Sequence, residues 1–87
     1  MNNLMTELQT ALRELGHGAE PVTNAPADML NVWLNDEGRI PSATVLYEPL
    51  MDTDHGQIVW GSHYEHQATT AVGVDELARQ IVASCQA

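Results

Sequence analysis

Three histidines and one glutamate form the only group in the sequence that resembles a metal site: His55, His63, Glu65 and His66. Imidazole nitrogens and carboxylate oxygens are ligands that zinc and other transition metals accept. If residues 56–67 form a strand, His63 and Glu65 point to the same side, because side chains alternate along a strand. The spacing matches no established motif such as H-E-x-x-H. We therefore expect exposed histidines and predict no metal and no other cofactor.

The candidate nucleophiles lack the neighbours that would activate them. Cys85 is the only cysteine and falls on the apolar side of the predicted last helix, where a small buried thiol is the usual role. None of the serines Ser42, Ser62 and Ser84 lies in a G-x-S-x-G sequence. Ser62 and its neighbour His63 would point to opposite faces of a strand. We predict that the protein is not an enzyme.

The charge composition argues against direct binding to nucleic acid. The 87 residues contain three arginines and no lysine against 12 carboxylates, which gives a formal net charge of -9. Proteins neutralise phosphates with Lys and Arg, and this chain has few of either. Anionic membrane surfaces are disfavoured for the same reason. A basic protein is the partner that such a charge would attract.

Length and composition indicate a single domain over residues 1–87, because a chain this short has no room for a second core. A single cysteine cannot form an intrachain disulfide, which favours a reducing compartment. The first residues lack the basic region and long apolar core of a signal peptide. No run approaches the ~20 apolar residues of a membrane span. We expect a cytoplasmic protein.

Amphipathic helices are predicted near both ends of the sequence. The first covers 3–15 and ends at Gly16, a residue that readily takes a left-handed conformation. Its apolar side chains recur with helical spacing: Leu4, Leu8, Ala11, Leu12 and Leu15. The second covers 74–85, with Gly73 as its N-cap and carboxylates in its first turn. Its apolar face comprises Val74, Leu77, Ala78, Ile81, Val82 and Cys85.

Strands are predicted over 29–35, 43–48 and 56–67, where β-branched and aromatic residues are frequent. The segment 18–27 contains Pro21 and Pro26, which oppose helix, so it is predicted as a connector, part of which can form an edge strand. The order α-β-β-β-α predicts an α+β fold. We expect a three-stranded antiparallel meander with the two terminal helices on one face.

An apolar sheet face is the predicted binding surface, because every strand has large apolar residues of both parities and two helices cannot cover both faces. The candidate residues are Met29, Trp33, Val45, Tyr47, Ile58 and Trp60. The strand register is not readable from the sequence. It stays open whether Val45 and Tyr47, or instead Ile58 and Trp60, share a face with Trp33. Alternatively, segments 18–27 and 49–55 fold over this face.

Two resemblances bear on the fold. The element order resembles that of the double-stranded-RNA-binding domain, but the basic residues that this domain uses on phosphates are missing. The motif Trp60-Gly61-x-x-Tyr64-x-His66, followed by an amphipathic helix, resembles small uncharacterised proteins of actinobacterial genomes and their mobile elements. This second resemblance covers about the last third of the chain. It implies a helix-plus-sheet fold and no particular activity.

These observations predict a small acidic module that binds a partner protein, or a second copy of itself as a homodimer, through a sheet face. One alternative is a nucleic-acid mimic that inhibits another protein, of the anti-restriction or anti-CRISPR type. It requires scattered carboxylates to converge: Glu7/Glu14, Asp36/Glu37, Asp52/Asp54 and Asp75/Glu76. Another is a metal-binding protein, which requires His55, His63 and His66 to converge.

Overall fold

The structure is a computed structural model that describes residues 3–25, 27–34, 40–49, 55–61 and 63–86. In these residues, helix α1 (Asn3–Glu14) is followed by a five-stranded antiparallel sheet and helix α2 (Val74–Gln86). The strands are β1 (Gly18–Pro21), β2 (Met29–Trp33), β3 (Ala43–Pro49), β4 (Gly56–Trp60) and β5 (His66–Thr69). A short 3-10 turn (Thr70–Val72) leads into α2. The predicted α+β class is confirmed, but the sheet has five strands where three were predicted.

One additional strand, β1, comes from the predicted connector 18–27. Its residues pair antiparallel with β2, from Gly18 opposite Trp33 to Pro21 opposite Leu30. Pro21 is tolerated there because β1 is an edge strand, and a proline needs no ladder hydrogen bond on the free side. Part of the connector therefore extends the sheet instead of folding over it.

The other additional strand arises because the predicted strand 56–67 is interrupted. Gly61 has φ +115° and Tyr64 has φ +55°, so the chain turns back and β5 pairs with β4. The left-handed conformation is costly for a tyrosine. The carboxylate of Glu65 helps to hold the turn, because its Oε2 accepts a hydrogen bond of 2.9 Å from the backbone N–H of His63.

The sheet is a meander in which each strand pairs with its neighbours in sequence. Leu30 of β2 is opposite Val45 of β3, and Val45 is opposite Trp60 of β4. Trp60 is in turn opposite His66 of β5. Because directly opposed residues point to the same side of a sheet, this row assigns every strand position to one face or the other. The predicted strand end at residue 35 lies outside the described residues.

An apolar core lies between the helices and one face of the sheet. The buried residues of α1 are Met5, Leu8, Ala11 and Leu12, and those of α2 are Leu77, Ala78 and Ile81. They form one cluster with the sheet residues Ala19, Leu30, Val32, Ala43, Val45, Ile58 and Trp60. Burying one leucine of this kind contributes about 1.5–3 kcal/mol of transfer free energy. Both helices thus contact the same sheet face.

The helix boundaries agree closely with prediction, but one predicted core residue does not reach the core. Helix α1 ends at Glu14, and Gly16 follows in a left-handed conformation with φ +91°. Leu15, directly after the end of α1, is 50% exposed, while Met5 is fully buried. No helix in the described part of the chain has the length and apolar character needed to cross a membrane.

Candidate functional site

The sheet register separates the six residues that were predicted to share a binding face. Val45 is directly opposite Trp60, and Tyr47 is directly opposite Ile58. Val45, Ile58 and Trp60 belong to the buried core under the helices, and Tyr47 packs against it. These four residues therefore form part of the covered face, so neither of the two pairs left open by the sequence shares a face with Trp33.

Only Met29 and Trp33 of the predicted six lie on the opposite side of the sheet. In β2 they alternate with Leu30 and Val32, which are buried under the helices. The alternation within β2 was readable from the sequence. The sequence did not show which residues of β3 and β4 share a face with those of β2, because this depends on the register that the intervening turns set.

The side of the sheet turned away from the helices carries an apolar row, and we call this side the open face. Met29 is opposite Leu46, and Leu46 is opposite Val59. Trp33 lies on the same side, because it follows Met29 and Asn31 at two-residue intervals along β2 and side chains alternate along a strand. The sequence analysis missed Leu46 and Val59, since only the pairing of Leu46 with Met29 and of Val59 with Leu46 assigns them to this face. Of the segments suggested to cover it, residues 50–54 lie outside the described residues.

The polar residues of the open face are mostly neutral. The hydroxyl of Thr44 donates a 3.0 Å hydrogen bond to the side-chain oxygen of Asn31. Gln57 donates a 3.0 Å bond from its amide nitrogen to the side-chain oxygen of Gln67 on the neighbouring strand. Amides and hydroxyls therefore surround the apolar row and satisfy one another in pairs.

Two carboxylates lie on the described strands of the open face, Glu20 on the edge strand β1 and Glu48 near the end of β3. Glu20 forms an ion pair with Arg13, whose Nη2 is 2.6 Å from its Oε1. Little uncompensated charge therefore lies on this face, in contrast to the net charge of -9 for the whole chain. Depletion of charge around an apolar centre is typical of protein interfaces.

Trp33 carries an unsatisfied polar group. Its indole nitrogen is buried and has no hydrogen-bond partner among the described residues, although the side chain as a whole is only half-buried. An unpaired buried N–H costs about 1–3 kcal/mol. Tryptophans that combine an apolar ring with a polar N–H are common anchors of protein interfaces.

Of the candidate metal ligands, His55 lies apart from the other three. His55 precedes β4, whereas His66 is opposite Trp60 at the far end of that strand. A strand rises about 3.3 Å per residue, so roughly 16 Å of β4 separate these positions. In the parts of the chain that the structure describes, no group of three His, Cys, Asp or Glu residues is arranged to hold a metal ion.

His63, Glu65 and His66 do lie near one another, at the turn between β4 and β5. The Glu65 carboxylate is 4.0 Å from Nε2 of His66. Hydrogen bonds from the backbone N–H groups of Glu65 and His63, with smaller effects of the two histidines, lower the pKa of Glu65. A carbon atom added at Gly61 would lie 2.6 Å from the Glu65 Oε2. Glu65 thus has a structural role in the turn.

A small cleft of about 170 Å³ brings together residues with reactive side-chain types. Its lining includes Ser42, Trp60, Glu65, His66, Ser84 and Cys85. The ring of His66 stacks on that of Trp60, with centroids 5.7 Å apart. Burial raises the pKa of the Cys85 thiol, which disfavours the thiolate that a nucleophile would need.

The hydroxyls in this cleft are engaged in structural hydrogen bonds. Ser84 accepts a 2.6 Å bond from the indole N–H of Trp60 and donates a 2.9 Å bond to the carbonyl of Ile81. Ser42 accepts a 3.2 Å bond from the backbone N–H of Leu34. Neither serine is hydrogen-bonded to a base that would activate it. Ser62 lies outside the described residues.

The carboxylates required by a nucleic-acid mimic are distributed over several surfaces. Glu7, Glu14 and Asp75 border a groove between α1 and α2, while Glu76 is paired with Arg79 at 3.0 Å. Glu20 and Glu48 lie on the open face instead. Residues 36, 37, 52 and 54 lie outside the described residues.

Comparison with known proteins finds no matching family model, curated protein or solved structure. The resemblance of the Trp60–His66 stretch to small actinobacterial proteins therefore stays a prediction.

Proposed function

We propose that the protein is a small interaction module that binds through the open face, with a second copy of the chain as its occupant. The observation that supports this proposal is the apolar row of Met29, Leu46 and Val59, with Trp33 beside it, on the sheet side away from the helices. None of these residues belongs to the core cluster under the helices. Val59 is already only 6% exposed, whereas Met29, Leu46 and Trp33 are partly exposed. Contact with a second sheet would remove the exposed parts of these three side chains from water.

The position of the row suits a symmetric contact. Leu46 lies on β3, the central strand of the five, and its row partners lie on the strands to either side. In a twofold dimer the same patch is used by both copies, so the patch must be complementary to itself. A twofold axis passing over Leu46 lays one apolar row against the other, with the sheets about 10 Å apart as in a β-sandwich.

The size of the open face is sufficient for a modest dimer interface. Five strands spaced about 4.8 Å apart and rising about 3.3 Å per residue give a face roughly 24 Å wide and 13–23 Å long. Covering it on both copies removes on the order of 1,000 Å² from water, near the lower limit for specific interfaces. Self-association also stabilises a small domain by mass action.

The test compares two substitutions that introduce the same negative charge. Leu46→Asp places it in the centre of the open face, whereas Val72→Asp places it in the 3-10 turn, where Val72 is 45% exposed. Both variants are checked for folding by circular dichroism, and the molar mass is measured by light scattering over a concentration series. We expect a dimer for the wild type and for Val72→Asp, and a monomer for Leu46→Asp.

A wild type that stays monomeric up to millimolar concentration would overturn the dimer, as would equal effects of the two substitutions. Trp33→Ala supplies a second variant of the same surface and should weaken dimerisation without added charge. The dependence on salt separates self-association from binding of a basic protein. Screening weakens repulsion between two acidic copies, so salt strengthens the dimer, whereas it weakens attraction to a basic partner.

The remaining alternatives have less support in the geometry. A nucleic-acid mimic needs a row of carboxylates at regular spacing along one accessible surface. Of the described carboxylates, Glu7, Glu14 and Asp75 border one groove, whereas Glu20 and Glu48 lie on the open face. A metal-binding function would have to use residues near His63 and His66 without His55, which precedes β4 at its other end. Zinc titration followed by histidine NMR shifts tests this function directly, and unchanged shifts would exclude it.

A further inference from the structure

The outer surface of the helix layer contains an open groove of about 420 Å³ between α1 and the start of α2. Its lining residues are Thr6, Glu7, Thr10, Ala11, Glu14, Val74 and Asp75. A smaller cavity of about 120 Å³ shares several of these residues and adds Leu15, Ala78 and Arg79. The two form a continuous depression along the helix pair, which we call the helix groove.

The helix groove has an apolar component in which Leu15 alone is neither a member of the core cluster nor packed against it. Leu15 has helical apolar spacing with Leu8 and Leu12, yet it is 50% exposed, because α1 ends before it. Ala11 and Ala78 at the base are buried, and their small side chains leave room above them. An exposed leucine beside a depression with a small-residue base is a position where an apolar side chain of a partner can be buried.

Three carboxylates surround this apolar component. Glu7 and Glu14 are seven residues apart on α1, and this corresponds to about 10.5 Å along the helix axis. Asp75 lies on the opposite wall, in the first turn of α2. None of the three has an ion-pair or hydrogen-bond partner among the described residues, whereas the one cation in the lining, Arg79, is paired with Glu76.

We infer that the helix groove binds a cationic amphipathic segment of another protein. The segment would insert an apolar side chain beside Leu15 and place Lys or Arg side chains against Glu14 and Asp75 on the two walls. Charge complementarity identifies this occupant: the walls are acidic, uncompensated and spaced for more than one positive charge. An apolar helical face with flanking cations is a common form of such recognition.

This inference does not depend on the proposed dimer. The helix groove is on the outer side of the helices, and the open face is on the other side of the sheet. A dimer that buries the open face leaves both grooves accessible, and a monomer leaves its single groove accessible as well. The two surfaces can therefore be tested separately, and either can fail alone.

The experiment uses a synthetic 14-residue amphipathic peptide of Leu and Lys as the probe, with a scrambled peptide of equal composition as its control. Binding is measured by fluorescence anisotropy, and its location by backbone NMR shifts. Glu14→Gln/Asp75→Asn removes one charge from each wall. Glu48→Gln/Asp28→Asn removes the same charge with the same residue types away from the groove.

We expect shifts concentrated in residues 6–15 and 74–79, and an affinity about tenfold lower for the groove pair, since each lost contact with a cation lowers the affinity about threefold. The control pair should change the affinity by less than twofold. Leu15→Gln should weaken binding more than Val72→Gln does. Equal losses in the two charge pairs, equal binding of the scrambled peptide, or shifts centred elsewhere would overturn the inference.

Discussion

The indole N–H of Trp60 donates a 2.6 Å hydrogen bond to the hydroxyl of Ser84 and thereby joins the end of β4 to the last turns of α2. Trp60 is only 3% exposed, so water does not readily replace this partner. The same hydroxyl donates to the carbonyl of Ile81, which fixes its orientation. The polar atom of the largest core side chain is thus satisfied by a short relay to the helix.

Replacing Ser84 by alanine should destabilise the protein by about 1–3 kcal/mol, because the Trp60 N–H would be left buried without an acceptor. Urea unfolding followed by circular dichroism measures this loss. The same substitution is then measured in a Trp60→Phe variant, whose side chain has no N–H group. There Ser84→Ala should cost much less, and an equal cost in both backgrounds would contradict the role assigned to the hydrogen bond.

Gly56 allows the ring of Tyr47 to lie directly over the backbone at the start of β4. A carbon atom added at Gly56 would be 2.5–2.7 Å from two ring carbons and the hydroxyl oxygen of Tyr47. Gly56→Ala should therefore displace the ring and cost about 1–3 kcal/mol of unfolding free energy, measured in urea. In a Tyr47→Ala background the same substitution should be far less costly.

Gly16 provides the contrasting case for this prediction. Its φ is +91°, yet open space surrounds the position where a side chain would begin. Gly16→Ala should cost about 1–2 kcal/mol through backbone strain alone. This cost should be the same with or without Tyr47, so an equal dependence of both substitutions on Tyr47 would show that the steric explanation is wrong.

The lowered pKa of Glu65 predicts a dependence of stability on acid. The folded pKa lies below the model-compound value of 4.5 because backbone N–H groups of Glu65 and His63 bind the carboxylate. Its stabilising contribution is therefore present above about pH 4.5 and is lost as the pH falls through the folded pKa. Glu65→Gln should flatten this part of the stability curve, measured by urea unfolding from about pH 3 to pH 7.

Glu48→Gln is the control for the acid dependence, because Glu48 is exposed and its carboxylate forms no hydrogen bond or ion pair with the described residues. Glu76→Gln should act like Glu65→Gln, since Arg79 and Gln80 lower the pKa of Glu76. If Glu48→Gln removed as much of the pH dependence as Glu65→Gln, the turn hydrogen bonds would not be its source.

Cys85 should react slowly with thiol reagents in the folded protein. Burial raises its pKa above the ordinary value of 9.0, so the thiolate is scarce near neutral pH. We expect Ellman's reagent at about pH 8 to modify the folded protein at least tenfold more slowly than the urea-unfolded chain. Equal rates in the two states would show that the thiol is accessible and unperturbed.

The helices were the most predictable elements, because their signals are local. Gly73 and the acidic first turn mark the start of α2, and an apolar stripe runs through to its end, so the predicted 74–85 compares with Val74–Gln86. Leu15 has the same helical spacing as the core residues of α1. Its exposure could not be foreseen, because it depends on the residue at which α1 stops.

The sheet was less predictable because its decisive features are non-local. Residues 56–67 favour strand throughout, and the turn within them is held by the carboxylate of Glu65 and a left-handed Tyr64. Neither feature can be recognised from the residue types in this stretch. On the open face, Met29 and Trp33 followed from alternation within β2, whereas Leu46 and Val59 required the cross-strand register.

The contrast between the meander and the helix pair has a consequence for synthesis. The strands are paired between neighbours, so a nascent chain can assemble them one hairpin at a time. The helix α1, however, packs against α2 across nearly the full length of the chain. Until Leu77 and Ile81 have left the ribosome, the apolar surface that α2 covers in the folded protein stays exposed. During that interval chaperones can bind it.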